Sequence, residues 1–183
     1  EQYNLRPLTF QEFIYASNEQ ALIKAFEAQA STAAVHTKLM EKLTNYFFTG
    51  GMPEAVSAWY QYKESSILER VEKVSKIHAD LVEGYRRDFG KYAGKVDATL
   101  IESVFNSIPA QLSLVSDESV KRFKFKHVHE RKSRYSDFET AIHWLNCCRL
   151  ALPNYPIEGL PKSPLAAYKK ENMVKLFLFD VGL

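Results

Sequence analysis

Between residues 66 and 92 the apolar side chains Val71, Val74, Ile77, Leu81, Tyr85, Phe89 and Tyr92 step by threes and fours. That spacing lines one stripe of an α-helix and cannot line one face of a strand. A single amphipathic helix of this length, about 40 Å at 1.5 Å per residue, needs apolar partners along its stripe and sets the chain in a mainly α class. Gly84 and Gly90 are its weak points, because glycine is a poor helix former.

Local signals place the other elements. Thr9-Phe10-Gln11-Glu12 has capping-box spacing, with Leu8 before the cap and Phe13 positioned to staple against it. Val35, Leu39, Leu43 and Phe47 recur every four residues and predict a helix buried along that face. Gly50-Gly51 ends it and Met52-Pro53-Glu54 opens another. Asp97 is placed to cap a helix whose apolar face is Leu100, Ile101, Val104, Phe105 and Ile108, stopped or bent near Pro109. A short helical segment is expected around the basic stretch that follows. Ser136-Asp137-Phe138-Glu139 reads as another capping box; its helix buries Phe138, Ala141, Ile142, Leu145 and Cys148 and turns Glu139, Thr140, His143 and Asn146 outward.

Two extended runs come last, Leu150–Ile157 and Val174–Phe179, with Pro161, Lys162 and Pro164 in the connection between them. Three helical segments and then a β-hairpin is the order of a winged helix-turn-helix. The expected architecture is therefore a helical region over 1–94 followed by a winged-helix-like region over 95–183. Apolar residues make up 46% of the 183, enough for a real core.

Charge is unevenly placed. Lys121, Arg122, Lys124, Lys126, Arg131, Lys132 and Arg134 stand against Glu130 alone, so residues 121–134 carry +6 in a chain whose net charge is +2, leaving −4 on the rest. A local basic surface suits nucleic acid or an acidic protein partner. No stretch approaches the roughly 20 apolar residues of a membrane span, and no signal peptide precedes the first helix. Cys147 and Cys148 are neighbours whose side chains diverge by about 100° on a helix, so a disulfide is not expected and a cytoplasmic, membrane-free location is.

Several chemistries are excluded by spacing. Gly90-Lys91-Tyr92-Ala93-Gly94-Lys95-Val96 has three residues between its glycines where a Walker A loop has four, and Val96 stands where Mg²⁺ needs a hydroxyl. His127, His129, Cys147 and Cys148 lack the pairwise spacing of a zinc site. Gly-x-Ser-x-Gly and His-Glu-x-x-His are absent. Asp80, Glu83 and Asp88 beside Arg86 and Arg87 suit surface ion pairing. No catalytic constellation, metal site or cofactor site is expected in this chain.

"LRPLTFQEFIYA" at 5–16, "YFFTGGMPEAV" at 46–56, "GYRRDFGKYA" at 84–93, "VFNSIPAQLS" at 104–113, "FKFKHV" at 123–128 with "RYSDFETAIHWL" at 134–145, and "KLFLFDVGL" at 175–183 run in order along the chain. Together they resemble the bacterial and archaeal AAA-type P-loop ATPases that carry a C-terminal domain of unknown function. The resemblance implies a middle region of a longer protein: an ATPase domain, with its ATP and Mg²⁺, upstream of Glu1, and a further nuclease-like domain beginning near Phe177–Leu183. By that resemblance its partners are those two domains; the lack of a catalytic constellation makes the chain itself a non-enzyme, and the basic stretch adds double-stranded DNA as an expected partner.

The basic stretch precedes the expected third helix of the winged-helix-like region, where phosphates or a groove would be met. In an extended stretch Arg122, Lys124 and Lys126 share one face while Phe123 and Phe125 turn to the core. Arg122, Lys124, Lys126, Arg131, Lys132, Arg134, Thr140 and His143 are the candidate nucleic-acid contacts. Asp137 and Glu139 near the helix start oppose reading of bases there. Two functions stay open: a non-catalytic DNA-binding and coupling module, or a module that docks the ATPase domain or a partner protein.

Overall fold

The computed structural model describes residues 5–30, 32–94, 96–113, 122–157, 159, 163–168 and 170–183. It is mainly helical, with one two-stranded antiparallel sheet near the C-terminus. The chain divides into two compact units, residues 1–84 with 180–183, and residues 85–179. The division falls between Gly84 and Tyr85, ten residues before the boundary expected at Gly94, because the long helix predicted from its periodicity, α5 (Ile67–Tyr92), contributes to both units.

The first unit contains α1 (Phe10–Ala16), α2 (Gln20–Glu27), α3 (Ala33–Thr49), α4 (Pro53–Gln61) and the start of α5. Thr9 caps α1 as its spacing predicts: its hydroxyl accepts from the Glu12 N–H, and its own N–H donates to the Glu12 carboxylate at 2.7 Å. Those bonds hold the Glu12 carboxyl below the usual carboxylate range. Phe13, Ala55, Val56, Trp59 and Val74 form the core, with Leu8, Phe10, Tyr46 and Tyr60 against it. Phe47, expected on the buried stripe of α3, is 58% exposed. Tyr46 packs instead, 5.4 Å from Phe13 and 5.7 Å from Phe10 between ring centroids, because α1 and α4 together fix which side of α3 is covered.

Gly50 and Gly51 end α3 as expected, and the space around them admits nothing larger. Gly50 has φ +69°, and a Cβ there would lie 2.0 Å from the Asp180 carboxylate; one on Gly51 would lie 2.2 Å from the Leu8 carbonyl oxygen. Asp180, 3% exposed, accepts the Gly51 N–H at 2.6 Å and the Gly182 N–H at 2.9 Å. Leu8 donates to the Gly51 carbonyl, and the Tyr46 hydroxyl donates to the Leu8 carbonyl, each at 2.7 Å.

In the second unit α6 (Ala98–Ser113) packs on α7 (Tyr135–Cys147) and on the sheet. Asp97 caps α6 through the Thr99 N–H and hydroxyl, and Leu100, Ile101, Val104, Phe105 and Ile108 are all buried. Pro109 neither stops nor ends α6, which continues to Ser113. Phe138, Ala141, Ile142 and Leu145 are buried on α7 as predicted. The helix starts earlier than the Ser136 box requires, with Arg134 at its N-cap. Asp137, three residues on, supplies the acceptor for the Arg134 and Ser133 N–H groups at 2.9 and 3.1 Å. Cys148, expected on the buried face, is instead exposed at the C-cap of α7.

The strands β1 (Ala151–Asn154) and β2 (Lys175–Leu178) pair antiparallel within the two extended runs, Ala151 opposite Leu178 and Asn154 opposite Lys175. Phe179 donates to the Leu150 carbonyl, so in this register Leu152 and Asn154 bond across the ladder while Pro153, lacking an N–H, faces the outer edge. Pro161 and Lys162 of the connection lie outside the described residues, as does 114–121, where part of the short helix around the basic stretch was expected. The described part of that stretch is extended backbone and turn. Among the described residues no helix is long and apolar enough to cross a membrane.

Candidate nucleic-acid interface

Alternation governs residues 122–126. Phe123 and Phe125 are buried to 4% and 8% exposure, while Arg122, Lys124 and Lys126 are exposed. The Phe125 ring stacks on Phe138 at 5.5 Å and meets Phe123 at 5.2 Å and Tyr135 at 5.8 Å. Two neighbours hold the backbone extended. Phe123 donates to the Val174 carbonyl at 2.7 Å, on the edge of β2 facing away from β1. The Gln111 side-chain amide accepts the Lys124 N–H at 2.7 Å and donates to its carbonyl at 2.9 Å.

Beyond Lys126 the chain makes a tight excursion. His127 takes the left-handed conformation at φ +71°, and His129 and Lys132 form an isolated antiparallel bridge. This turn and the first half of α6 enclose an open concavity of about 770 Å³, lined among others by Thr99, Ser103, Lys126, His129, Arg131 and Lys132. The Thr99 hydroxyl donates to Asp97 at 2.6 Å and the Ser103 hydroxyl to the Thr99 carbonyl at 2.7 Å. Both hydroxyl hydrogens are already donated within the protein, so Thr99 and Ser103 offer no hydroxyl donor to an anion, whereas Lys126, Arg131 and Lys132 offer charged ones.

Carboxylates stand close by without closing ion pairs. Thr99, through its hydroxyl and N–H, holds the Asp97 carboxyl below the usual range, and Lys132 adds a smaller push in the same direction. The Arg134 and Ser133 N–H groups do the same for Asp137, again with a smaller contribution from Lys132. Glu130 lies on the rim of the concavity. Among the described residues, none of Arg122, Lys124, Lys126, Arg131, Lys132 and Arg134 forms an ion pair within 4.0 Å; Arg122 instead reaches the Met173 sulfur at 3.8 Å. Lys121 lies outside the described residues.

The family model for a domain of unknown function, DUF8612, matches residues 40–183. The chain belongs to this family. The DUF8612 match takes in the Gly50-Gly51 pair, Asp180 and the whole basic stretch, leaving α1, α2 and the start of α3 outside it. No curated protein and no solved structure matches the chain.

The remaining site candidates of this DUF8612 chain sit elsewhere on α7. Thr140 and His143 are exposed but do not line the concavity. His143 contacts the exposed Cys147 thiol, Nε2 to Sγ 3.4 Å. Its four-residue spacing is a signal in the sequence that attention to Cys-x-x-Cys and His-x₃-His patterns passes over. Among the described residues no three of His, Cys, Asp and Glu come together as metal ligands. Gly90 and Lys91 belong to the last turns of α5, and Gly94 makes a turn at φ +62°; Lys95 lies outside the described residues. Gln111, Thr99 and Met173 join the site only through the fold, and nothing in their local sequence marks them.

Proposed function

We propose that residues 122–134 are a sequence-independent contact surface for the phosphate backbone of nucleic acid. In this reading the chain serves as the non-catalytic binding and coupling module of a P-loop ATPase of the kind its motifs resemble, with a winged-helix-like second unit. One observation carries it: six cations project from a short backbone segment, and none is neutralised by an ion pair among the described residues. Lys132 and Arg134 share part of their attraction with Asp97 and Asp137, while Arg122, Lys124, Lys126 and Arg131 keep theirs for a partner.

Binding of a short duplex, followed by fluorescence anisotropy over a salt series, tests the reading. Three to five phosphate contacts give a slope of log K against log salt of roughly −3 to −4. Replacing Arg122, Lys124 and Lys126 together by Ala flattens that slope by about 3. Absence of duplex binding at low salt, or an unchanged slope in the triple variant, overturns it.

A second reading, docking to an acidic protein surface, is favoured by one specific observation. Asp97, Asp137 and Glu130 lie among the same cations, a mixed pattern that suits protein contacts. It takes over if the duplex experiment fails. In either case the chain supplies no nucleotide site, and calorimetric titration with Mg-ATP is expected to show no saturable signal at micromolar concentration.

A further inference from the structure

The string Arg122-Phe123-Lys124-Phe125-Lys126 has the composition of a surface that grips single strands: cations for phosphates and rings on which bases stack. The fold disposes of half of that. Phe123 and Phe125 face inward, ring against ring and against Phe138 and Tyr135, with under a tenth of either residue exposed. The rings cannot reach a base unless the core of the second unit opens. What remains outside is a row of charge held straight by Val174 and Gln111.

Such a row responds to charge density alone. From Arg122 to Lys126 an extended backbone covers about 13 Å at 3.3 Å per residue. Along that distance a double helix presents about eight phosphate charges, one per 1.7 Å of axis, and one strand of it about four. Counterion release per contact is also larger for duplex, about 0.9 against about 0.7 for a single strand.

Resting on the reading above, we infer that the partner is the double-helical form of nucleic acid, taken by its backbone, and that this surface discriminates against single strands. The inward phenylalanines supply the discrimination by withholding the stacking on which single-strand binders depend. The concavity beyond Lys126 adds Arg131 and Lys132, with the imidazoles of His127 and His129 and no Phe, Tyr or Trp among its described lining residues.

The test compares a mixed-sequence duplex of about two helical turns with each of its strands alone, at equal phosphate concentration and low salt, by anisotropy on the whole chain. The duplex is expected to bind at least tenfold more tightly than either strand, with little change when its sequence is scrambled. A conservative variant, Phe125→Leu, checked for folding by circular dichroism, is expected to leave single-strand affinity where it was. Equal or tighter binding of the single strands, or a loss of single-strand affinity in Phe125→Leu, overturns the inference while leaving the nucleic-acid reading standing. Failure of the duplex to bind at low salt overturns the reading on which it rests.

Discussion

Two breaks in the helical chain are each held by a side chain that replaces a missing backbone partner, and they differ in what they leave outside. At Gly50-Gly51 the buried Asp180 carboxylate accepts N–H groups from Gly51 and Gly182, and the two glycines have no room for a Cβ. At Lys124 the Gln111 amide satisfies both backbone groups of an extended segment whose cations stand in solvent. The first is specified atom by atom. The second is specified only on its inner side, by the backbone bonds and by Phe123 and Phe125, so its outer residues are set by whatever they meet. Intolerance to substitution at the first place therefore reports folding, and at the second it reports function.

Substitutions sharpen that contrast. The largest effect is expected at Gly51→Ala, where the added methyl would sit 2.2 Å from the Leu8 carbonyl oxygen and 2.7 Å from the Leu8 nitrogen, both backbone atoms with no rotamer to yield. A loss of about 3 kcal/mol or more, read from the urea midpoint at constant m-value, is expected; a loss under about 1 kcal/mol would show that the junction gives way and the contrast is false.

Asp180→Asn comes next. The amide keeps one acceptor but turns an N–H₂ group toward the second backbone N–H, and a loss of ~2–3 kcal/mol follows from the charged hydrogen bond removed and the donor left facing a donor. Unchanged stability would mean that the two N–H groups find other acceptors.

Where the basic stretch meets α7, Asp137 is predicted to matter for folding. Its carboxyl is held below the usual range, first by the Arg134 N–H and then by the Ser133 N–H, so the stability it adds is fully present above the ordinary aspartate range and is lost as pH falls through its depressed value. The gap in urea midpoint between the parent chain and Asp137→Asn should accordingly be largest near neutrality and shrink as pH drops from about 5 toward 2. A gap independent of pH would assign the effect to something other than the charge.

The smallest effect is expected from replacing Arg122, Lys124 and Lys126 together by Ala. Thermal and urea unfolding should stay within about 0.5 kcal/mol of the parent, even as salt-dependent binding is lost. Marked destabilisation would make the cations part of the fold and erase the distinction between the two places.

The local signals that proved readable are those whose physics is local. The faces of α6 and α7, the alternation from Arg122 to Lys126, the Thr9 cap and the two strands each follow from spacing within a few residues. Ser136 misled because Asp137 caps by reaching back to the Ser133 and Arg134 N–H groups, two residues earlier than its neighbour's hydroxyl suggested. Phe47 misled because α1 and α4 choose the covered side of α3, and the aromatic one position earlier fills it. The bond from Gly51 to Asp180 spans 129 positions, and the pairing of Gln111 with Lys124 depends on where α6 happens to end. Neither distance leaves a trace in a window of sequence. The identity of the cations was legible throughout; their arrangement around the concavity with Thr99 and Ser103 was not.

The Gln111 amide has a consequence for the cost of binding. A surface loop that engages a partner ordinarily gives up backbone freedom at that moment, and the loss subtracts from affinity. Here one glutamine bonds Lys124 on both sides as a neighbouring strand would, so the row from Arg122 to Lys126 is already ordered before any partner arrives. Only the long side chains have freedom left to lose. Gln111→Ala would return the backbone share of that entropy to the free protein, weakening association without removing a single charge.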